Sequence, residues 1–325
     1  MRYLGIDIGG TAVKYGIVTE QGEILSAAEY SVNFDQYETP ILDTIVKTSQ
    51  EFLDSIGVEA VELKGIGVSA TGQIDSILGI VDGVGNSIKN WKGAKIKEEL
   101  SNQFHLPVEV VNDGNCAALG EKWLGNARGH KNVIAITIGT GVGGGIIVND
   151  QILLGNQGFA GEIGHFSIDY KGVNCACGNR GCYERYASMT ALINMVQEVL
   201  PLIYDSEFTK EDINGKLIFD LCKRGEPRIL KVLDEWIEYV VDGLVSLVHI
   251  FNPDCIVIGG GVSVQQELFI DKVRSKLSNR VMSNFKKSLI VERAALGNHA
   301  GLVGAIYYFI QQNEKDSKEE SHEVS

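Results

Sequence analysis

The sequence predicts an α/β protein built from two related halves that face each other across a cleft. Three observations carry this expectation. Short apolar strands alternate with helix-periodic stretches along the chain, which is the pattern of layered α/β folds. A strand ending in a glycine-rich tip occurs twice, because Ile6-Asp7-Ile8-Gly9 aligns with Ile136-Thr137-Ile138-Gly139 at an offset of 130 residues (136 − 6). The chain has 325 residues, a length that suits two domains.

Tyr3 to Ile8 reads as a buried strand, Gly9-Gly10-Thr11 as a tight turn and Ala12 to Val18 as the returning strand. Gln21-Gly22 then turns into a third strand, Glu23 to Val32. A glycine-rich tip lets backbone N–H groups approach phosphate oxygens, because no Cβ intrudes. Asp7 is placed to hold Mg2+ through water, and Lys14 to reach a phosphate. Taken alone, the stretch is equally a plain β-turn. Tyr37 to Ile56 is helix-like, and Leu63 to Ala70 is an apolar strand ending at Thr71-Gly72. Gln73 to Asp75 and Gly79 to Val81 form an excursion that carries Asn86, Ser87, Asn90 and Trp91 on irregular backbone. Ala94 to His105 is helical, Pro107 to Asn112 a strand, and Asn115 to Leu124 helical again. Asp113 is a natural helix N-cap. It also stands at the carboxyl end of a strand, where α/β folds bind their ligands.

The second glycine tip, Gly139-Thr140-Gly141, leads into a strand reaching Val148. A nucleotide is expected to lie between the two tips. Met189 to Leu200 is a helix, and Glu226 to Phe251 is a long amphipathic one ended by Asn252-Pro253-Asp254. Cys255 to Ile258 is a buried strand. Gly259-Gly260-Gly261 follows, either as a compact crossover turn or as backbone on which a nucleoside rests. A helix near Gln265 to Leu277 and a last one from His299 to Ile310 complete the pattern. Residues 1–112 with the helix at about 299–312 are expected to form a smaller domain, and 113–298 a larger one. Residues 314–325, polar and mostly charged, are expected to be a disordered tail.

His165, Cys175, Cys177 and Cys182 fall within eighteen positions, the cysteines spaced C-x-C-x4-C among glycines. Three thiolates and an imidazole complete a tetrahedral Zn2+ set with no position left for water, so the site is structural. C-x-C is a poor disulfide spacing. The metal would stiffen a loop whose ligands are flanked by Glu162 and Glu184. Cys116, Cys222 and Cys255 sit in apolar context and read as core residues.

A formal net charge of −13 argues against DNA or another polyanion as the main partner. No apolar run is long enough to span a bilayer, and Met1 leads straight into a strand, so a cytoplasmic protein without membrane association is expected.

The chain resembles the ROK family (repressors, open reading frames and sugar kinases) over about residues 2 to 312. The resemblance is carried by Gly5 to Thr11, Asn112 to Ala118, Gly139 to Gly143, Gly161-Glu162-Ile163-Gly164-His165 and the cysteine run through Glu184. It implies two actin-like, ribonuclease-H-like ATPase domains and an activity that phosphorylates a hexose hydroxyl with ATP and Mg2+. By that likeness Asp7, Gly9, Gly10, Thr11, Lys14, Gly139, Thr140 and Gly141 hold the nucleotide phosphates, and Gly259, Gly260 and Gly261 border the adenosine. Asp113 is then the base that receives the proton of the attacking hydroxyl. Gly72, Asn86, Asn112, Glu162, His165 and Glu184 contact the sugar, and His165 also ligates zinc. Where family members often carry Asn-Leu-x-Gly-Trp, this chain has Ser87-Ile88-Lys89-Asn90-Trp91. The expected acceptor is O6 of glucose or a close relative, with N-acetylmannosamine, fructose, allose and a β-glucoside as alternatives. The family's homodimer is carried over as an expectation. Family repressors place a helix-turn-helix domain before the first hairpin, and here the hairpin strand begins at Tyr3.

Overall fold

The computed structural model describes residues 1–83, 88–200 and 209–323, without the side chains of 210 and 315–323. Two five-stranded sheets repeat one topology. The first holds β1 (Arg2–Ile8), β2 (Ala12–Thr19), β3 (Ile24–Ser31), β4 (Ile66–Ala70) and β7 (Val108–Asn112) in the order β3-β2-β1-β4-β7. The second holds β8 (Val133–Ile138), β9 (Val142–Val148), β10 (Gln151–Ile152), β11 (Cys255–Gly259) and β12 (Ile290–Arg293) in the order β10-β9-β8-β11-β12. In both, an antiparallel hairpin opens the sheet and two parallel strands extend it. The glycine tips therefore occupy equivalent places. β5 (Gln73–Asp75) and β6 (Ile80–Gly83) form a separate small hairpin. β4 and β11 are buried at every residue, as suits parallel strands covered on both faces.

The helices are α1 (Ile41–Ile56), α2 (Ile96–Phe104), α3 (Asp113–Trp123), α4 (Glu184–Ala187), α5 (Met189–Val199), α6 (Gly215–Lys223), α7 (Pro227–Phe251), α8 (Asp271–Arg280) and α9 (Ala300–Glu323). Three expectations need correction. The first helix starts at Ile41 rather than Tyr37, because Thr39 precedes a proline and so avoids helical backbone; Gln36 and Tyr37 have φ of 59° and 64°. The stretch from Gln265 to Leu277 is not one helix. A 3-10 turn at Gly261–Val264 and a π turn at Gln266–Ile270 precede α8. The tail expected to be disordered continues α9 to Glu323, since Glu and Lys are good helix formers and neither glycine nor proline follows Gly304.

One core fills the space between the second sheet and α7, with Trp236 and Phe269 fully buried and stacked at 5.2 Å. Another lies under the first sheet against α1 and α2. α3 and α9 cross between the sheets, and α9 also packs on β1, β4 and β7. The crossing is close enough to demand glycine. A Cβ on Gly304 would lie 1.8 Å from the Cys116 carbonyl oxygen, and one on Gly120 would lie 2.6 Å from that of Ala300. Cys116, Cys222 and Cys255 are buried free thiols, as expected.

Candidate active site

A cleft of about 1280 Å3 opens between the sheets, with both glycine tips on its walls. Asp7, Gly9, Gly10 and Lys14 line it from the first tip, and Gly139, Thr140 and Gly141 from the second. Gly9 N–H donates to the Ala12 carbonyl (2.9 Å) and Gly139 N–H to that of Gly141 (3.0 Å), closing each turn. Ser69 donates to Asp7 Oδ1 at 2.7 Å, and Lys14 Nζ stands 3.8 Å from Oδ2. Burial pushes the Asp7 carboxyl up from its ordinary pKa, while Ser69 and Lys14 oppose that shift.

Thr11 is exposed at its tip and does not line the cleft; its carbonyl accepts from Val32 N–H (3.0 Å). Of the three later glycines only Gly260 faces the cleft. Gly259 is the buried last residue of β11, held in the ladder opposite Thr137. Gly261 instead borders an adjoining cavity of about 550 Å3, which shares Gly139 and Thr140 and is walled by Ile138, Met189, Ile193, Phe219 and Val262. Such an apolar slot beside a polar cleft suits a flat ring.

Asp113 is the first residue of α3, and its cap is Asn112. Asn112 Oδ1 accepts from Gly114 N–H at 2.8 Å and Asn115 N–H at 3.4 Å, and its Nδ2 donates to the Gly72 carbonyl at 2.8 Å. Asn112 lines the cleft with one N–H left over. The Asp113 carboxylate accepts from Gly114 N–H at 2.8 Å, and the nearby Thr71 side chain favours its ionised form. Its side chain opens onto cleft water, yet protein surrounds it closely enough to leave the charge poorly solvated. That desolvation, with the charges of Asp7 and Glu162 added, raises its pKa to about 6 against the Gly114 N–H bond and the Thr71 side chain.

Gly72, Glu162, His165 and Glu184 line the same cleft as Asp113. His165 Nε2 is 3.9 Å from Glu162, while Nδ1 is 4.0 Å from Glu184 and 3.7 Å from Cys175 Sγ. Glu184 accepts from Val142 N–H at 3.3 Å, and its Oε2 sits where a Cβ on Gly141 would be only 2.3 Å away. Burial raises the Glu162 pKa; His165 opposes the rise and Glu184 adds to it. Tyr183, just before Glu184, anchors that residue by stacking on Phe166 at 5.2 Å and donating to the Val240 carbonyl at 2.7 Å.

The ligand atoms of His165, Cys175, Cys177 and Cys182 all lie within 4.8 Å of one another. Cys177 and Cys182 Sγ are 3.5 Å apart and no cysteine is disulfide-bonded. Sulfurs on one tetrahedral zinc stand roughly 3.8 Å apart, from Zn–S bonds of about 2.3 Å. The cluster thus has the spacing and the donor chemistry of a metal-ligand set.

Asn86 and Ser87 lie outside the described residues. Asn90 has φ 56° and donates through Nδ2 to the Tyr37 carbonyl at 3.0 Å, so it serves the backbone and does not line the cleft. Sequence reasoning missed Thr71, Thr137 and the run Gly297, Asn298, Ala300 and Gly301, all of which line it. A signal existed only for the last group, where glycine opens a long helix against its propensity.

Comparison with known proteins bears on this geometry. The model of the ROK family matches residues 3–312. A glucokinase of Thermotoga maritima is 32% identical over 310 residues, which cover 94% of this chain and 96% of that protein. A xylose repressor of Bacillus spizizenii is 32% identical over 303 residues, covering 93% of this chain and 75% of the repressor. The crystal structure of a ROK family glucokinase from Streptomyces griseus with glucose and AMPPNP superposes with a TM-score of 0.76. It is 32% identical, with 94% of this chain and 98% of that one covered.

Proposed function

The chain belongs to the ROK family, and on that premise we propose that it is an ATP-dependent hexose kinase that phosphorylates O6 of glucose. The observation that carries the reading is the meeting of Asp113, both glycine tips and the Glu162, His165 and Glu184 wall in one cleft. The Streptomyces griseus structure, with glucose and an ATP analogue bound, supports it.

Phosphoryl transfer asks a protein for alignment and charge stabilisation more than for covalent chemistry. The backbone N–H groups around the two tips and Lys14 hold the phosphates, and the purine occupies the slot beside Gly261. Asp7 would hold Mg2+ from the first tip, and the ion would supply the positive charge that the β- and γ-phosphates need. Glu162, His165, Glu184 and the backbone at Gly72 present the sugar by hydrogen bonds to neighbouring hydroxyls. Asp113 lies where it accepts the proton of the attacking hydroxyl, and its raised pKa makes it a better base than an ordinary carboxylate. Zn2+ on the Cys3His cluster would stiffen the loop that carries Glu184 and leave His165 Nε2 for the sugar. Closure of the cleft between the two sheets would exclude water from the transfer. The working form is a homodimer in the cytoplasm. Among the described residues no helix is long and apolar enough to cross a membrane.

The test is ADP release across a panel of glucose, N-acetylmannosamine, fructose, allose and a β-glucoside, with Mg2+ and Zn2+ present. Glucose is expected to give the highest kcat/KM. The variant Asp113→Asn should bind glucose and stay folded while kcat falls on the order of 10^2- to 10^4-fold. Sugar binding without sugar-stimulated turnover would overturn the proposal and favour a sensor.

A further inference from the structure

We infer that Glu121 is a positioning residue for phosphoryl transfer. It ties the cleft wall formed by residues 297–301 to the same helix that carries Asp113. The inference rests on the kinase reading and adds a part that no motif marks.

Glu121 sits two turns beyond Asp113 on α3 and is only 2% exposed. Lysine and arginine do not pair with it among the described residues; its charge is met by backbone N–H groups. Oε1 accepts from Ala295 and Leu296, both at 2.8 Å, and Oε2 from Asn126 at 3.1 Å. Asn126 in turn donates through Nδ2 to the Arg293 carbonyl at 2.8 Å, holding the end of β12. Hydrogen bonds to an ionised acceptor are roughly twice as strong as neutral ones, and a buried carboxylate persists only when it is satisfied in this way.

What these bonds hold is the start of the donor wall. Leu296 is followed by Gly297 and Asn298, and then by Ala300 and Gly301 at the head of α9, all facing the cleft. Gly301 lies so near Asp7 that a Cβ there would be 2.4 Å from Oδ1. Gly120, beside Glu121, rests against the Ala300 carbonyl. The amino end of α3 thus sets the acceptor's base, and a point roughly 12 Å along it, at 1.5 Å per residue, sets the donor wall. In-line transfer needs the two in a fixed relation, and one rigid helix provides it.

The test is Glu121→Gln in the full chain. Glutamine can still accept from Ala295 and Leu296, but it turns an NH2 group towards the Asn126 N–H. The ADP dissociation constant, measured by titration without sugar, and the KM for ATP should both rise about tenfold. Glucose KM should stay within twofold, and the circular dichroism spectrum should be unchanged. If the variant does not fold, Glu121→Asp withdraws the carboxylate by one methylene with its charge intact and is read in the same way. Unchanged ADP affinity in a folded variant overturns the inference. So does an equal rise in both KM values, which marks general loosening. A wild-type chain that binds ADP yet never turns over sugar defeats the kinase reading, while the ADP titration still reports on Glu121.

Discussion

On the proposed reading Asp113 is the base, and its environment makes a prediction about pH. The base is the ionised form, and the pKa is raised to about 6, so the active fraction is full above that value and falls as pH drops through it. With MgATP saturating, kcat/KM for glucose should be level above about pH 6 and fall about tenfold per pH unit below it. A profile that stays level to pH 4.5 would contradict the environment described for this group. Asp113, Glu162 and Glu184 are legible in the sequence because each stands inside a dense local motif. Asn112 is legible as a residue but not in its part, because only the fold shows its side chain spent on capping α3 and on the Gly72 carbonyl. Thr71 is invisible. Nothing in its neighbours announces that it will line the cleft beside Asp113 or that Trp91 Nε1 will hold its carbonyl at 2.9 Å.

At the level of elements, the loop from His165 to Glu184 is short on regular structure and long on cross-links. Ser167 with Cys182, and Asn174 with Arg180, form isolated bridges, and the His165, Cys175, Cys177 and Cys182 side chains converge there. Removing the proposed zinc with a chelator, or replacing Cys182 with serine, should raise glucose KM at least several-fold while ADP affinity holds. Calorimetric titration of each ligand checks this. Equal loss for both would mean that the loop supports the whole fold and not the sugar wall. The convergence of His165 with the three cysteines is legible from spacing alone because the four residues lie close in the chain. Element ends were less so. Proline at position 40 delays α1, and the charged run after Glu314 keeps helical backbone where composition suggests disorder.

For the whole molecule, the internal repeat foretells two sheets of one topology, and the sheets follow it strand for strand. What the repeat does not foretell is the contact that joins them. Cys116 and Gly304 are far apart in the chain, and no periodicity links them, yet α3 and α9 meet there backbone to backbone. Gly304→Ala should force the helices apart and destabilise the protein by roughly 1–3 kcal/mol, the usual range for overpacking. Urea denaturation of the two proteins measures the difference, and equal midpoints would mean the crossing tolerates a methyl group. The same helix limits how chains of this kind can diverge. One residue inserted between Asp113 and Glu121 would turn one end against the other by about 100° and shift it by about 1.5 Å. Loops on the surface can lengthen or shorten across descendants, whereas this span of eight steps must keep its count.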